Sequence, residues 1–181
     1  MKRRGFLSAG TLALLLPGLA AAGAGAVDLH GAVIFRRGRA FDLVTQTILL
    51  FSPVRPARWS HVGVVVRMAR GRLWVAHAMP DAGVFLEPLE AFKAAGTAWD
   101  IVPQIDPQAG ALVASAALAD VGKRFDDYLR ASESDTLYCT EHVFRALAAA
   151  GIAPVFERIT APGYSEPIMH PDSLFDALRR G

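Results

Sequence analysis

The chain has a single cysteine, Cys139, in 181 residues. One cysteine excludes an internal disulfide. Other things are missing too. There is no glycine-rich phosphate loop, no internal repeat, no low-complexity tract and no linker-like stretch. No block of lysine and arginine suggests a nucleic-acid surface, so no nucleic-acid partner is expected. The longest apolar run near the start, Thr11 to Leu16, is too short to span a bilayer.

The N-terminus explains the basic pI of about 9.0. Lys2, Arg3 and Arg4 precede that apolar run, and the small residues Ala20 to Ala26 follow it. This pattern reads as a signal peptide over residues 1–26, leaving one domain over residues 27–181. Arg3-Arg4 followed by Gly5-Phe6-Leu7 resembles the twin-arginine export signal of bacteria; a general secretory signal with two arginines is the alternative. No cysteine follows the run, so no lipid anchor is expected there. Removing the leader takes three of 19 basic residues and none of 17 acidic ones, which changes the net charge from +2 to −1. The expected location is periplasmic or secreted, with no membrane span after cleavage. A lone thiol in an oxidising compartment is either buried and inert or kept for its chemistry.

The two densest apolar runs are Trp59 to Val66 and Leu73 to Ala78, with Ala69-Arg70-Gly71 between them. They predict a β-hairpin. A three-residue loop ending on a left-handed glycine suits Gly71. Met68 then faces Arg72, and His77 falls opposite Gly63 with His61 diagonal to it on the same face. A two-residue loop would turn the imidazoles to opposite faces. Read singly, each is an ordinary half-buried histidine at a strand end.

Around the hairpin, strands are predicted at Val33–Phe35, Gly83–Leu86 and Trp99–Val102. Helices are predicted at Phe41–Phe51, Pro88–Ala95, Ala109–Val121, Cys139–Ala150 and after Pro171, with a loop over Phe125–Leu137. Strands grouped centrally with helices on either side predict an α+β fold with an antiparallel central sheet.

Cys139 opens its predicted helix. Free N–H groups and the dipole at a helix N-terminus stabilise a thiolate, and a neighbouring imidazole lowers its pKa further. Such a thiolate attacks acyl carbonyls, with the same N–H groups donating to the oxyanion. Cys139 as nucleophile, His61 as base and His77 as orienting group fill the roles of a triad. Two other readings remain open. Cys139 sits on the Val143/Leu147 stripe as a small core residue. Alternatively Cys139, His142, His61 and His77 form a zinc site, although His142 also reads as a helix-surface residue.

Ser60-His61-Val62-Gly63-Val64-Val65 and Val75-Ala76-His77-Ala78 resemble the histidine half of the NlpC/P60 cysteine peptidases. The cysteine helix, Tyr138-Cys139-Thr140-Glu141-His142-Val143, comes last rather than first. That order resembles the circularly permuted branch, the YiiX/YebB-like and YaeF-like hydrolases. Gly31 to Phe35, Gly122 to Asp126 and Pro171 to Leu174 match as well, so the resemblance covers about residues 31 to 175. It implies a permuted papain-like fold with Cys139 as nucleophile, His61 as base and His77 as third residue, where many members carry Glu. Phe125 stands where the family often has Tyr, so an assisting hydroxyl comes from Tyr128 or Tyr138 or is absent. Glu141 is expected to support the helix start. The implied activity is cleavage of an amide or ester bond through an acyl-thioester on Cys139, on a cell-envelope peptide or lipid, with no cofactor or metal. The rival is a catalytically silent envelope-binding module of the same fold.

Overall fold

The loop Ala69–Gly71 sets the geometry of the central hairpin. In the computed structural model, which describes residues 27–39, 43–104 and 106–180, this loop is a single 3₁₀ turn with Arg70 and Gly71 at positive φ. Met68 N–H donates to Arg72 O at 2.8 Å and closes it. The loop joins β2 (His61–Arg67) to β3 (Leu73–Met79) with Val64 opposite Ala76, so His77 comes opposite Gly63. Open space at Gly63 is not what the strands leave. A Cβ there would meet Val75 Cγ1 at 2.5 Å and His77 Cβ at 3.0 Å, so the missing side chain is what lets β3 lie this close.

Three more strands flank the hairpin: β1 (Val33–Gly38), β4 (Gly83–Pro88) and β5 (Gly96–Val102). The sheet order is β4-β3-β2-β1-β5, antiparallel throughout. Alternation along β2 sends Val62, Val64 and Val66 to one face and His61, Gly63 and Val65 to the other. The first face is covered by α3 (Pro107–Ala119), α4 (Cys139–Ala149) and α5 (Pro171–Arg180), packed through Val113, Val143, Leu147 and Leu174. Each such fully buried aliphatic side chain contributes about 1.5–3 kcal/mol. The second face carries one short helix, α2 (Leu89–Ala94), whose Leu89 and Phe92 pack on Ile34, Val65 and Val75. Helix α1 (Leu43–Leu50) lies apart, in a cluster with Tyr138, Ile168 and Met169.

The expected elements are present, with two differences. Helix α3 begins earlier than its alanine run, because Asp106 caps it by accepting from Gln108 N–H at 2.9 Å and Pro107 fits the first turn. The expected loop 125–137 is bounded by a two-residue parallel pair, β6 (Arg124–Phe125) with β7 (Thr136–Leu137). Strands this short carry no periodicity to read. The expected signal peptide lies outside the described residues. No helix among the described residues is long and apolar enough to cross a membrane.

Candidate active site

His61 begins β2, and four hydrogen bonds hold that strand end. Ser60 N–H donates to Arg36 O at 3.1 Å, and Ser60 Oγ accepts from Gly38 N–H at 2.9 Å. One residue further back, the backbone N–H groups of Arg58 and Trp59 donate to the carboxylate of Asp172, at 3.1 and 2.9 Å. Asp172 is fully buried and also accepts from Ser52 Oγ. The start of α5 therefore ties down the segment that leads into His61.

The two imidazoles meet. His61 Nε2 lies 2.8 Å from His77 Nδ1, and Phe92 and Phe85 wall the pair, with His77–Phe85 centroids 4.4 Å apart. Burial holds both rings neutral. It takes His61 well below the usual imidazole range and His77 down to about 3, with the Arg36 guanidinium adding to both shifts. Arg36 sits directly across from His61 on β1, stacks over Phe92 at 4.3 Å and donates to Phe92 O at 3.1 Å. With Nε2 of His61 engaged by His77, the nitrogen left to serve as a base is Nδ1.

Cys139 is the first residue of α4. No side chain caps this helix at Tyr138, so its first-turn N–H groups are left for other partners. The sulfur contacts Thr140 Oγ1 at 3.8 Å, and the nearby backbone N–H groups of Val62, Thr140 and Cys139 favour its thiolate form. Val62 is the neighbour of His61 in the chain. Cys139 packs with Val62 on one face of β2 while His61 lies with Phe92 on the other. The two nevertheless line one cleft of about 240 Å³ at the end of the strand. His77 stands behind His61 and is not on the cleft wall.

The expected low thiol pKa is corrected by this environment. Burial pushes the Cys139 thiol up, and this outweighs the lowering by Thr140 and the three N–H groups. At rest the site holds a neutral thiol and neutral imidazoles rather than an ion pair.

The remaining candidates separate clearly. Tyr138 lines the cleft, but its hydroxyl accepts from Met169 N–H at 3.0 Å, and burial pushes its phenol up. Tyr128 is 67 % exposed, stacked under Arg130 and absent from the cleft wall, so it is not placed as an oxyanion donor. Glu141 points into the protein beside Arg145, 2.6 Å away, and burial outweighs that cation to push its carboxyl up to about 7. His142 is not a helix-surface residue: it is 0 % exposed, with Nε2 3.2 Å from Ala117 O. Its position on α4, one turn on from Tyr138, turns the ring to α3.

Three contributors were not singled out from the sequence. Arg36 falls just past the predicted end of β1, which runs on to Gly38. Asp172 was read only as part of a helix start. Glu87 falls just past the predicted end of β4, yet its Oε2 lies 3.3 Å from His77 Nε2.

Residues 29–166 match the family described as permuted papain-like amidase enzymes, YaeF/YiiX, C92. The chain belongs to that family. Among solved structures, a similar one is the crystal structure of metalloprotein YiiX from Escherichia coli O157:H7. It has a TM-score of 0.66 and 22 % identity, covering 81 % of this chain and 91 % of that one. At that identity the likeness is one of fold, and it agrees with the α+β, permuted papain-like architecture. No curated protein matches the chain. The family is one of amidase enzymes, which makes the chain a member of a hydrolase family.

That neighbour is described as a metalloprotein, but the donor side chains of this chain are arranged differently. Among the described residues no group of three or more histidine, cysteine or acidic side chains is arranged to hold a metal ion. His61 and His77 point their ring nitrogens at each other, and His142 points Nε2 at a backbone carbonyl. The Cys139, His61, His77 and His142 set does not form a zinc cage.

Proposed function

We propose that the protein is an exported cysteine hydrolase that cleaves an amide or ester bond of a cell-envelope substrate. The observation that carries this is the His61–His77 hydrogen bond beside a cleft that also holds Cys139 at an uncapped helix N-terminus. His61 Nδ1 takes the thiol proton as Cys139 Sγ bonds to the substrate carbonyl carbon. The first-turn N–H groups of α4 donate to the developing oxyanion. The carbon–nitrogen or carbon–oxygen bond then breaks, and the leaving group carries off the proton held by His61. Water adds to the acyl-thioester with His61 again as base, and the acid product departs as the proton returns to sulfur. His77 orients the His61 ring throughout.

Two features supported by the cleft bear on the substrate. Its wall is mostly apolar, through Ile48, Met79, Phe125, Leu129, Ile168 and Met169. That apolar stretch suits an acyl chain, while Thr45, Thr47, Ser60, Asp127 and Thr140 on the same wall supply partners for a polar group beside it. The N-terminal pattern supports a periplasmic or secreted location. A screen of lipid esters, lipid thioesters and envelope peptides, with Cys139→Ala as blank, tests the reading. Hydrolysis of acyl substrates that vanishes in the blank supports it, and turnover of peptides alone overturns the substrate class.

A second reading is favoured by one observation. The thiol is held protonated, with Thr140 rather than an imidazole as its side-chain partner. This is what a silent envelope-binding module of the same fold would show, and such a module would bind acyl ligands without turning them over.

A further inference from the structure

The assignment of His61 as base leaves one question about the hairpin: what fixes the proton on His77. His77 is 1 % exposed, and its Nε2 is buried without a well-aligned hydrogen bond. Phe85 and Phe92 cover the ring faces and exclude water. The polar groups facing this histidine are few. They are His61 from β2, Arg36 from β1, Glu87 from β4 and, through its charge alone, His142 from α4.

The strand register puts Glu87 there. His77 pairs with Phe85 and Val75 with Glu87, so Glu87 is the diagonal neighbour of His77 on the same face. Its Oε2 lies 3.3 Å from His77 Nε2 and 3.7 Å from Arg36 Nη1, with the side chain 24 % exposed. The nitrogen–oxygen contact is bent, but it is the one short acceptor contact that this nitrogen makes.

We propose that Glu87 is a fourth, positioning member of the site, holding the proton of His77 on Nε2 so that His77 Nδ1 stays an acceptor for His61. The consequence follows bond by bond. If Glu87 accepts from His77 Nε2–H, then His77 Nδ1 carries a lone pair. His61 Nε2–H must donate to that lone pair, which leaves His61 Nδ1 as a free base. With the proton of His77 on Nδ1 instead, His61 would have to accept at Nε2 and carry its own proton on Nδ1. It would then be unable to take a proton from the thiol. The Glu87 charge also lies at the end of the line along which the His61 imidazolium would develop.

This inference rests on His61 being the base, and the test keeps the two apart. On purified protein, long-range proton–nitrogen spectra report which nitrogen of His77 is protonated, with His77→Gln assigning the signals. Iodoacetamide alkylation of Cys139 reports the base. Wild type and Glu87→Gln, which keeps an acceptor, are expected to show His77 protonated on Nε2. They should alkylate within about threefold of each other. Glu87→Leu is expected to shift His77 to the Nδ1 form or a mixture and to slow alkylation about tenfold. An unchanged tautomer in Glu87→Leu overturns the proposal. Equal slowing in Gln and Leu variants also overturns it, because it leaves Glu87 only as a counter-charge to Arg36. If His61→Ala alkylates at the wild-type rate, the base assignment fails instead, and the tautomer spectra still decide whether Glu87 holds His77.

Discussion

Four histidines are buried in this protein, and they fall into two pairs that use their nitrogens differently. His142 and His170 bond to backbone carbonyls, Ala117 O at 3.2 Å and Ile48 O at 2.8 Å. His170 is fixed further by accepting from Asp172 N–H at 3.0 Å. A ring tied to a carbonyl must keep its proton on that nitrogen, so these two act as struts. His61 and His77 bond instead to each other, at 2.8 Å, with a carboxylate at one end and a cleft at the other. Neither ring of that pair is tied to a backbone carbonyl. Burial depresses all four, so neither burial nor pKa sets the two pairs apart. What each ring bonds to makes the distinction.

Substitutions should break the pairs in opposite ways. Cys139→Ala and His61→Ala are expected to lower hydrolysis by about ten-thousandfold while moving stability little, as read by activity assay and thermal melting. His77→Ala is expected to cost about a hundredfold in rate, since it leaves His61 in place but unoriented. The anchor at the other pair should respond in stability. Asp172→Ala strands the N–H groups of Arg58 and Trp59 and the Ser52 hydroxyl, and is expected to destabilise by about 3 kcal/mol in denaturant titration.

Acid should expose what the pairs share. Unfolded imidazoles titrate near about 6.5, and above that pH both states are neutral and stability is full. Below it the unfolded chain takes up protons that the folded rings refuse, down to about 3 for His77. His77 then removes about 1.4 kcal/mol of stability per pH unit, and the other three rings act in the same direction. Melting temperature should therefore fall steeply between pH 6.5 and 5, and His77→Gln should make that fall shallower. The smallest effect expected is from chelation. EDTA should leave both melting temperature and activity unchanged, whereas a drop in either would revive the zinc site.

The hairpin half of the site was legible because its register depends on three adjacent residues. Ala69-Arg70-Gly71 can close only one kind of loop well, and the count from Gly71 then places both imidazoles on one face. The cysteine half depends on contacts made far along the chain. The raised thiol pKa comes from the depth at which α4 packs on β2, which the residues around Cys139 do not encode. His142 reads as a surface residue because Glu141 and Arg145 flank it, yet α4 turns this side to α3, where the ring meets Ala117 O. Asp172 was visible as part of a helix start. Its larger task, holding the segment before His61 across more than a hundred residues, arises only once α5 docks. Glu87 escaped because alternation was followed to Leu86 and no further.

The most direct measurement is labelling of Cys139 by an activity-based thiol probe, quantified by intact mass in wild type and His61→Ala. The expected result is stoichiometric labelling of the wild type and loss of labelling in His61→Ala, with both proteins folded. Equal labelling, or a thiol inert in both, would contradict the assignment of a histidine-activated sulfur and leave a fold that binds without catalysis.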